Sequence, residues 1–145
     1  MNHRNWMRIA LGYLAIASAP LGIWGLLAPK SFYDNFPGLG RQWIANDGVY
    51  NEHLVRDVGA LNLALIVLFV GAAWSLSRPL VFTACASSLA WGVPHFIYHA
   101  LNTDGLAGSD VLGILSGLSA FVTLPIVVGY IANKHLKPEL PAEAT

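Results

Sequence analysis

This chain has a single cysteine, Cys85, so it has no intrachain disulfide and no CxxC redox pair. Placed in the middle of an apolar run, Cys85 reads as a small buried hydrophobe. Charge is scarce as well. Only 11% of the 145 residues are charged, whereas an ordinary soluble domain carries about 25%. Eight basic side chains balance eight acidic ones, so the basic field that draws a protein to nucleic acid is missing, and nucleic acid is not an expected partner. There is no internal repeat, which argues against the paired halves of an alternating-access transporter.

What the chain has in quantity is apolar sequence, 55% of all residues. It falls into four runs, Met7–Leu27, Val58–Leu76, Leu80–Leu101 and Val111–Ala132. Each is near the roughly 20 residues that a helix needs to cross a bilayer. The expected fold is all-α: one integral membrane four-helix bundle over residues 1–145, with helices at about 7–28, 51–77, 79–102 and 109–133. The lipid bilayer is its first expected partner. The opening "MNHRNWMRIALGYLAI" with "ASA" at 17–19 has the layout of a cleavable signal. The apolar stretch continues through "PLGIWGLL", however, and Pro20 would sit just past the cut, so the expectation is an uncleaved first helix.

Charge placement orients the bundle. With the N-terminus cytoplasmic, Arg4, Arg8, Arg78, Lys134 and Lys137 lie inside, and Lys30, Arg41 and Arg56 outside. The positive-inside rule therefore predicts a multi-pass plasma-membrane protein with both termini cytoplasmic. The long first connection, "APKSFYDNFPGLGRQWIANDGVYNEH", then faces outward, and its Phe32, Tyr33, Phe36, Trp43 and Tyr50 suit an interfacial loop capping the bundle. Asp47 or Asn51 is the expected N-cap of the second helix, and Ser109 or Asp104 that of the fourth. Small residues mark expected packing seams: Gly12, Ala15, Ala19 and Gly22 in the first helix, and Ser109, Gly113, Gly117 and Ala120 in the fourth, where "GILSG" matches GxxxG. Pro20, Pro94 and Pro125 are expected to kink or loosen their helices. Phe69 and Phe121 read as lipid-facing aromatics that also suit contact with another subunit.

The chemistry-bearing residues collect at the outer end. "NEHLVRD" puts Glu52, His53, Arg56 and Asp57 in the first two turns of the second helix, with Glu52 and Arg56, and His53 and Asp57, each four apart. "PHFIYH" puts His95, Tyr98 and His99 in the last turns of the third, on a stripe with Ser87, Ser88, Trp91 and Asn102 that should face the bundle interior. A kink at Pro94 would splay that end into a pocket. His3 and His135 lie in the tails and read as solvated.

Ionisable groups at membrane depth are costly and are functional candidates by default. Three readings follow. In the leading one, His53, His95 and His99 hold a transition metal (Cu, Zn or Fe) or a small polar ligand, with Glu52 or Asp57 as carboxylate ligand or base and Arg56 fixing Glu52 or an anionic group. A haem between His53 and His95 or His99 is a sub-case. In the second, the cluster is metal-free and performs acid–base chemistry on, or binds, a lipid-like molecule, with Trp91 and Tyr98 as an aromatic wall. In the third, the polar groups glue helices together in a non-enzymatic subunit or assembly factor, as part of a homo-oligomer or larger membrane complex.

A Pro-ended first helix, a following loop of the "PKSFYDNFPG" kind and the "RDVGALNLALIVL" start to the second helix resemble the DoxX-like group of small bacterial membrane proteins. The resemblance covers the first two helices. It implies a four-helix bundle and an oxidoreductase-associated or accessory membrane role. "NEH" and "PHFIYH" have no counterpart in that likeness, so it assigns no functional residue.

Overall fold

The computed structural model describes residues 2–138 and contains five helices. They are α1 (His3–Leu27), α2 (Pro29–Asn35), α3 (Glu52–Ser75), α4 (Arg78–Leu101) and α5 (Gly108–His135). Four of these, all but the short α2, are long and apolar enough to cross a membrane. They pack in a ring, α1 against α3, α3 against α4, α4 against α5 and α5 back against α1, and run alternately up and down. Large apolar side chains such as Ile16, Val67, Trp74 and Leu112 face outward all around the ring.

Local chemistry sets the helix ends. α1 starts several residues before the apolar run because Asn2 caps it, its side-chain oxygen accepting from the Arg4 N–H at 3.1 Å. Asn51 does the same for α3, accepting from Leu54 N–H at 3.1 Å. The expected side-chain cap of α5 is not made by Ser109 or Asp104; Ala107 holds the capping position. In α1, Pro20 has no N–H to give, and the helix widens into a π-helical stretch over Pro20–Trp24 before its last turn. α4 and α5 run unbroken through Pro94 and Pro125.

The apolar core occupies one end of the ring. Met7, Leu11 and Leu14 of α1 meet Leu65 and Phe69 of α3, Val81 and Ala84 of α4, and Phe121 and Val128 of α5, all buried. Phe69 and Phe121 are thus core residues, not the lipid-facing aromatics expected, because they share a helix face with the buried stripes of α3 and α5. Arginines close the backbone at the helix ends: Arg8 Nε donates to the Ala73 carbonyl at 3.1 Å, and Arg56 donates to the Leu26 carbonyl.

The small-residue seams follow expectation only in part, at Gly22 and the buried Ala15. On the α1–α3 seam, Gly22 meets Leu63, and Gly25 lies against Gly59. Gly12 has open space around it. On the α4–α5 seam, α4 supplies the small residues: Gly92 lies against Phe121, and Ser88 donates its hydroxyl to the Phe121 carbonyl at 2.9 Å. In α5, Gly113 faces Trp43 of the cap, and Gly117 faces open space. Its GxxxG is therefore not a helix–helix contact, because the indole occupies the place a neighbouring backbone would take.

A Cβ at Gly59 would lie 2.6 Å from the Leu26 backbone nitrogen, so Gly59→Ala is expected to cost about 1–3 kcal/mol. Gly12→Ala, in the same helix pair, should leave stability unchanged or slightly higher. Unfolding of the two variants in detergent checks the contrast, and equal midpoints would contradict the close α1–α3 approach.

Candidate functional site

At the end opposite the core, the first connection folds into a cap. α2 leads into a two-residue hairpin, β1 (Pro37–Gly38) pairing antiparallel with β2 (Arg41–Gln42), and then into a 3-10 turn at Ala45–Asp47. Gly38 and Gly40, at φ 100° and 75°, allow the tight reversal. Aromatic side chains bind the cap to itself and to α1. Trp24 meets Phe32 edge-on at 5.8 Å, Phe32 meets Phe36 at 4.8 Å, and Phe36 meets Trp43 edge-on at 5.9 Å.

One carboxylate pins the cap to the bundle. Asp110, in the first turn of α5, accepts the Trp43 indole N–H at 2.8 Å and pairs with the Arg41 guanidinium on the same oxygen. Its position at a helix N-terminus favours the negative charge independently. Arg41 also donates to the Ser109 hydroxyl at 3.3 Å, and Asn46 donates to the Asp104 carbonyl at 3.0 Å. The cap is thus stitched to the start of α5 and to the α4–α5 connection.

Beneath the cap lies a largely apolar cavity of about 170 Å³. Trp43, Ile44 and Asp47 form its roof; Trp91 and His99 of α4, Gly117 and Phe121 of α5, and Tyr13 of α1 form its walls. The third-helix stripe reaches it only in part. Ser88 and His99 are buried and Trp91 and His95 half-buried, while Tyr98 and Asn102 are exposed at the rim. His95 stacks on Trp91 at 4.8 Å and meets His99 edge-on at 4.7 Å, and Tyr98 lies edge-on to His99 at 5.3 Å.

His99 is 7% exposed, and its Nδ1 is buried without a hydrogen-bond partner. Its Nε2 faces Asp47 Oδ2 at 3.9 Å, close enough for charge attraction but beyond hydrogen-bond reach. A polar ring atom left unpaired in an apolar wall costs free energy. Burial holds the Asp47 carboxyl above its usual range, with the neighbouring His99 pulling partly the other way.

The second-helix residues are elsewhere. Arg56 donates through Nε to Glu52 at 2.9 Å and reaches the Leu26 carbonyl, so this pair closes the end of α1 and does not line the cavity. His53 and Asp57 pair at 3.4 Å with side chains 88% and 62% exposed. The three-histidine set is therefore not assembled, and among the described residues no three His, Cys, Asp or Glu side chains gather closely enough to hold a metal ion. The reason is helical phase. The buried face of α3 runs through Val55, Gly59 and Asn62, and residues two positions away, such as His53 and Asp57, are turned about 200° from it. His3 and His135 stack on each other at 3.9 Å on the exposed surface, at the core end.

The site residues that sequence reasoning missed are Asp47, Trp43, Gly117 and Tyr13. Asp47 carried a signal, since an Asp-Gly step ahead of a helix start marks a turn able to present its carboxylate over the helix ends. Asn62, fully buried in α3 with its Oδ1 unpartnered, was legible as the one amide inside an apolar run.

The Asp47–His99 pairing has a titration consequence. Because the folded-state pKa of Asp47 is raised, the stability it contributes is fully present below the ordinary carboxylate value and is lost as pH rises through the raised one. In His99→Gln the lowering influence disappears and burial remains, so Asp47 should titrate at a still higher pH. Carbon NMR of labelled aspartate, assigned with Asp47→Asn, measures both midpoints; identical values in the parent and His99→Gln would contradict the pairing.

Compared with known protein families, curated proteins and solved structures, this chain matches none of them.

Proposed function

We propose that this protein is a multi-pass plasma-membrane protein whose capped cavity binds a small amphipathic molecule, with His99 and Asp47 engaging its polar end. The observation that carries this reading is a roofed, largely apolar cavity lined by His99 and Asp47, with the His99 Nδ1 left without a hydrogen-bond partner in the protein. With Nε2 carrying the proton toward Asp47, Nδ1 is left as an acceptor that a modest turn of the ring would present to a ligand hydroxyl. An imidazole can also exchange a proton with such a hydroxyl, since one ring nitrogen accepts while the other donates. The reading is metal-free and follows the second of the alternatives drawn from the sequence, with Asp47 in the place given to Glu52 or Asp57.

Cavity size bounds the ligand. An apolar cavity of about 150 Å³ accommodates a benzene-sized molecule, so the part enclosed here is a single ring or a group of similar bulk. The bilayer setting is supported by the four apolar helices and their outward-facing Ile16, Val67, Trp74 and Leu112. The outward direction of the cap is supported by Arg4, Arg8, Arg78, Lys134 and Lys137, which all lie at the end away from it. A second reading, a subunit of a larger membrane complex, is favoured by the exposed His53–Asp57 pair on the outer face of an apolar helix, where a partner would relieve its exposure to lipid.

A direct test uses 4-fluorophenol as probe and fluorine NMR of the protein in nanodiscs. The parent should give a saturable bound resonance. Gly117→Leu, which fills open space in the cavity without meeting a neighbour at Cβ, should lose it. His99→Phe keeps the shape but loses the acceptor, and should weaken binding about fivefold, the worth of one hydrogen bond of about 1 kcal/mol. A bound resonance untouched by Gly117→Leu would overturn the reading.

A further inference from the structure

Three hollows lie in line along the helix axes, and a single aromatic side chain divides each from the next. Outermost is an open cleft of about 570 Å³ with a polar lining that includes Arg41, Gln42, Asn46 and Asp110. Trp43 lines both this cleft and the roofed cavity of about 170 Å³. Tyr13 lines both the cavity and a third hollow, an open groove of about 420 Å³ between α1 and α5. That groove is walled by Trp6, Ile9 and Ala10 on one side and Ala120, Thr123 and Leu124 on the other. The cleft at the cap end is thus polar, and the two hollows below it are both mainly apolar.

The groove is built to hold hydrocarbon. It follows the α1–α5 seam, the most sparsely packed of the four in the ring. From Tyr13 to Trp6 it extends about 10 Å along the helix at about 1.5 Å per residue. The two hydroxyls on its α5 wall are turned back on their own helix: Ser119 donates to the Ser116 carbonyl at 2.7 Å and Thr123 to the Ser119 carbonyl at 2.8 Å. Neither needs a partner from outside.

We propose that this groove holds the hydrocarbon tail of the molecule whose head occupies the cavity. The ligand class is then a tailed amphipath with one compact, ring-sized, hydroxyl-bearing head, taken sideways from the bilayer past Tyr13. This rests on the reading of the cavity as a ligand site and adds to it the direction in which the ligand leaves the cavity. A tail moving from lipid into the groove gains no hydrophobic free energy. The groove therefore selects by fit and position, and location, not affinity, is the quantity to measure.

The test uses 4-decylphenol carrying a diazirine at its chain end, added to the protein in nanodiscs, photolysed and mapped by peptide mass spectrometry. Adducts are expected on residues 6–13 and 119–124, and excess 4-fluorophenol should abolish them by displacing the head. Ala120→Phe, which fills the groove, should lose these adducts while keeping the bound 4-fluorophenol resonance. Thr123→Trp, an exposed position on the same wall, should do the same and guards against misfolding of the first variant. If adducts sensitive to 4-fluorophenol fall on α3 or on the α3–α4 seam, the tail leaves elsewhere and the inference fails while the cavity reading stands. If adducts are insensitive both to 4-fluorophenol and to Gly117→Leu, the inference and the cavity reading fail together.

Discussion

One carboxylate pins the capped half of this protein. Asp110 receives the Trp43 indole and the Arg41 guanidinium on a single oxygen at the start of α5, and so holds a cap of short elements over the open end of a helical ring. With Trp43 held there, its ring lies flush against Gly113 and roofs the cavity. It is also the wall between that cavity and the polar cleft outside. Charge-assisted hydrogen bonds are the stronger kind, and here two of them converge where the helix dipole also favours the anion.

Glycines divide the bundle into a tight side and an open side. Gly25 and Gly59 let α1 and α3 approach until backbone meets backbone, and Gly92 does the same for α4 against α5 at Phe121. The glycines of α5 have the reverse effect. Gly113 makes room for an indole from the cap, and Gly117 leaves a space that no side chain fills. Packing is consequently dense where Met7, Phe69, Val81 and Val128 meet, and loose beneath the cap, where His99 keeps an unsatisfied nitrogen. A polar atom left in that state in an apolar wall is a strain on folding and a handle for a ligand.

Much of the architecture was legible in the residues. The four apolar runs, Asn51 as a helix cap and the aromatic-rich first connection as a cap all follow from composition, period and capping chemistry. The burial of His99 also followed, from its sharing a stripe with Ser88, whereas His95 is half-buried and Tyr98 and Asn102 of that stripe are exposed. What the residues did not reveal was how α3 is rotated. The density of charge in "NEHLVRD" suggested a site, but burial follows Val55, Gly59 and Asn62, and that phase turns His53 and Asp57 outward. Gly59 held the clue, since a glycine in an apolar helix marks the face of close approach. The cap was harder to read because its geometry depends on pairings 58 to 69 residues apart in sequence, Asn46 to Asp104 and Arg41 to Asp110, which no local period encodes. Asp47 reaches His99 only through that long-range folding.

The central claim is that a roof held by Trp43 encloses a bound amphipath beside His99. Native mass spectrometry of the protein ejected directly from membrane vesicles tests it most directly. The parent is predicted to emerge with one small organic molecule attached, and Trp43→Ala to emerge without it while remaining intact. A parent that emerges bare, or a Trp43→Ala protein that keeps the same adduct, would contradict the account.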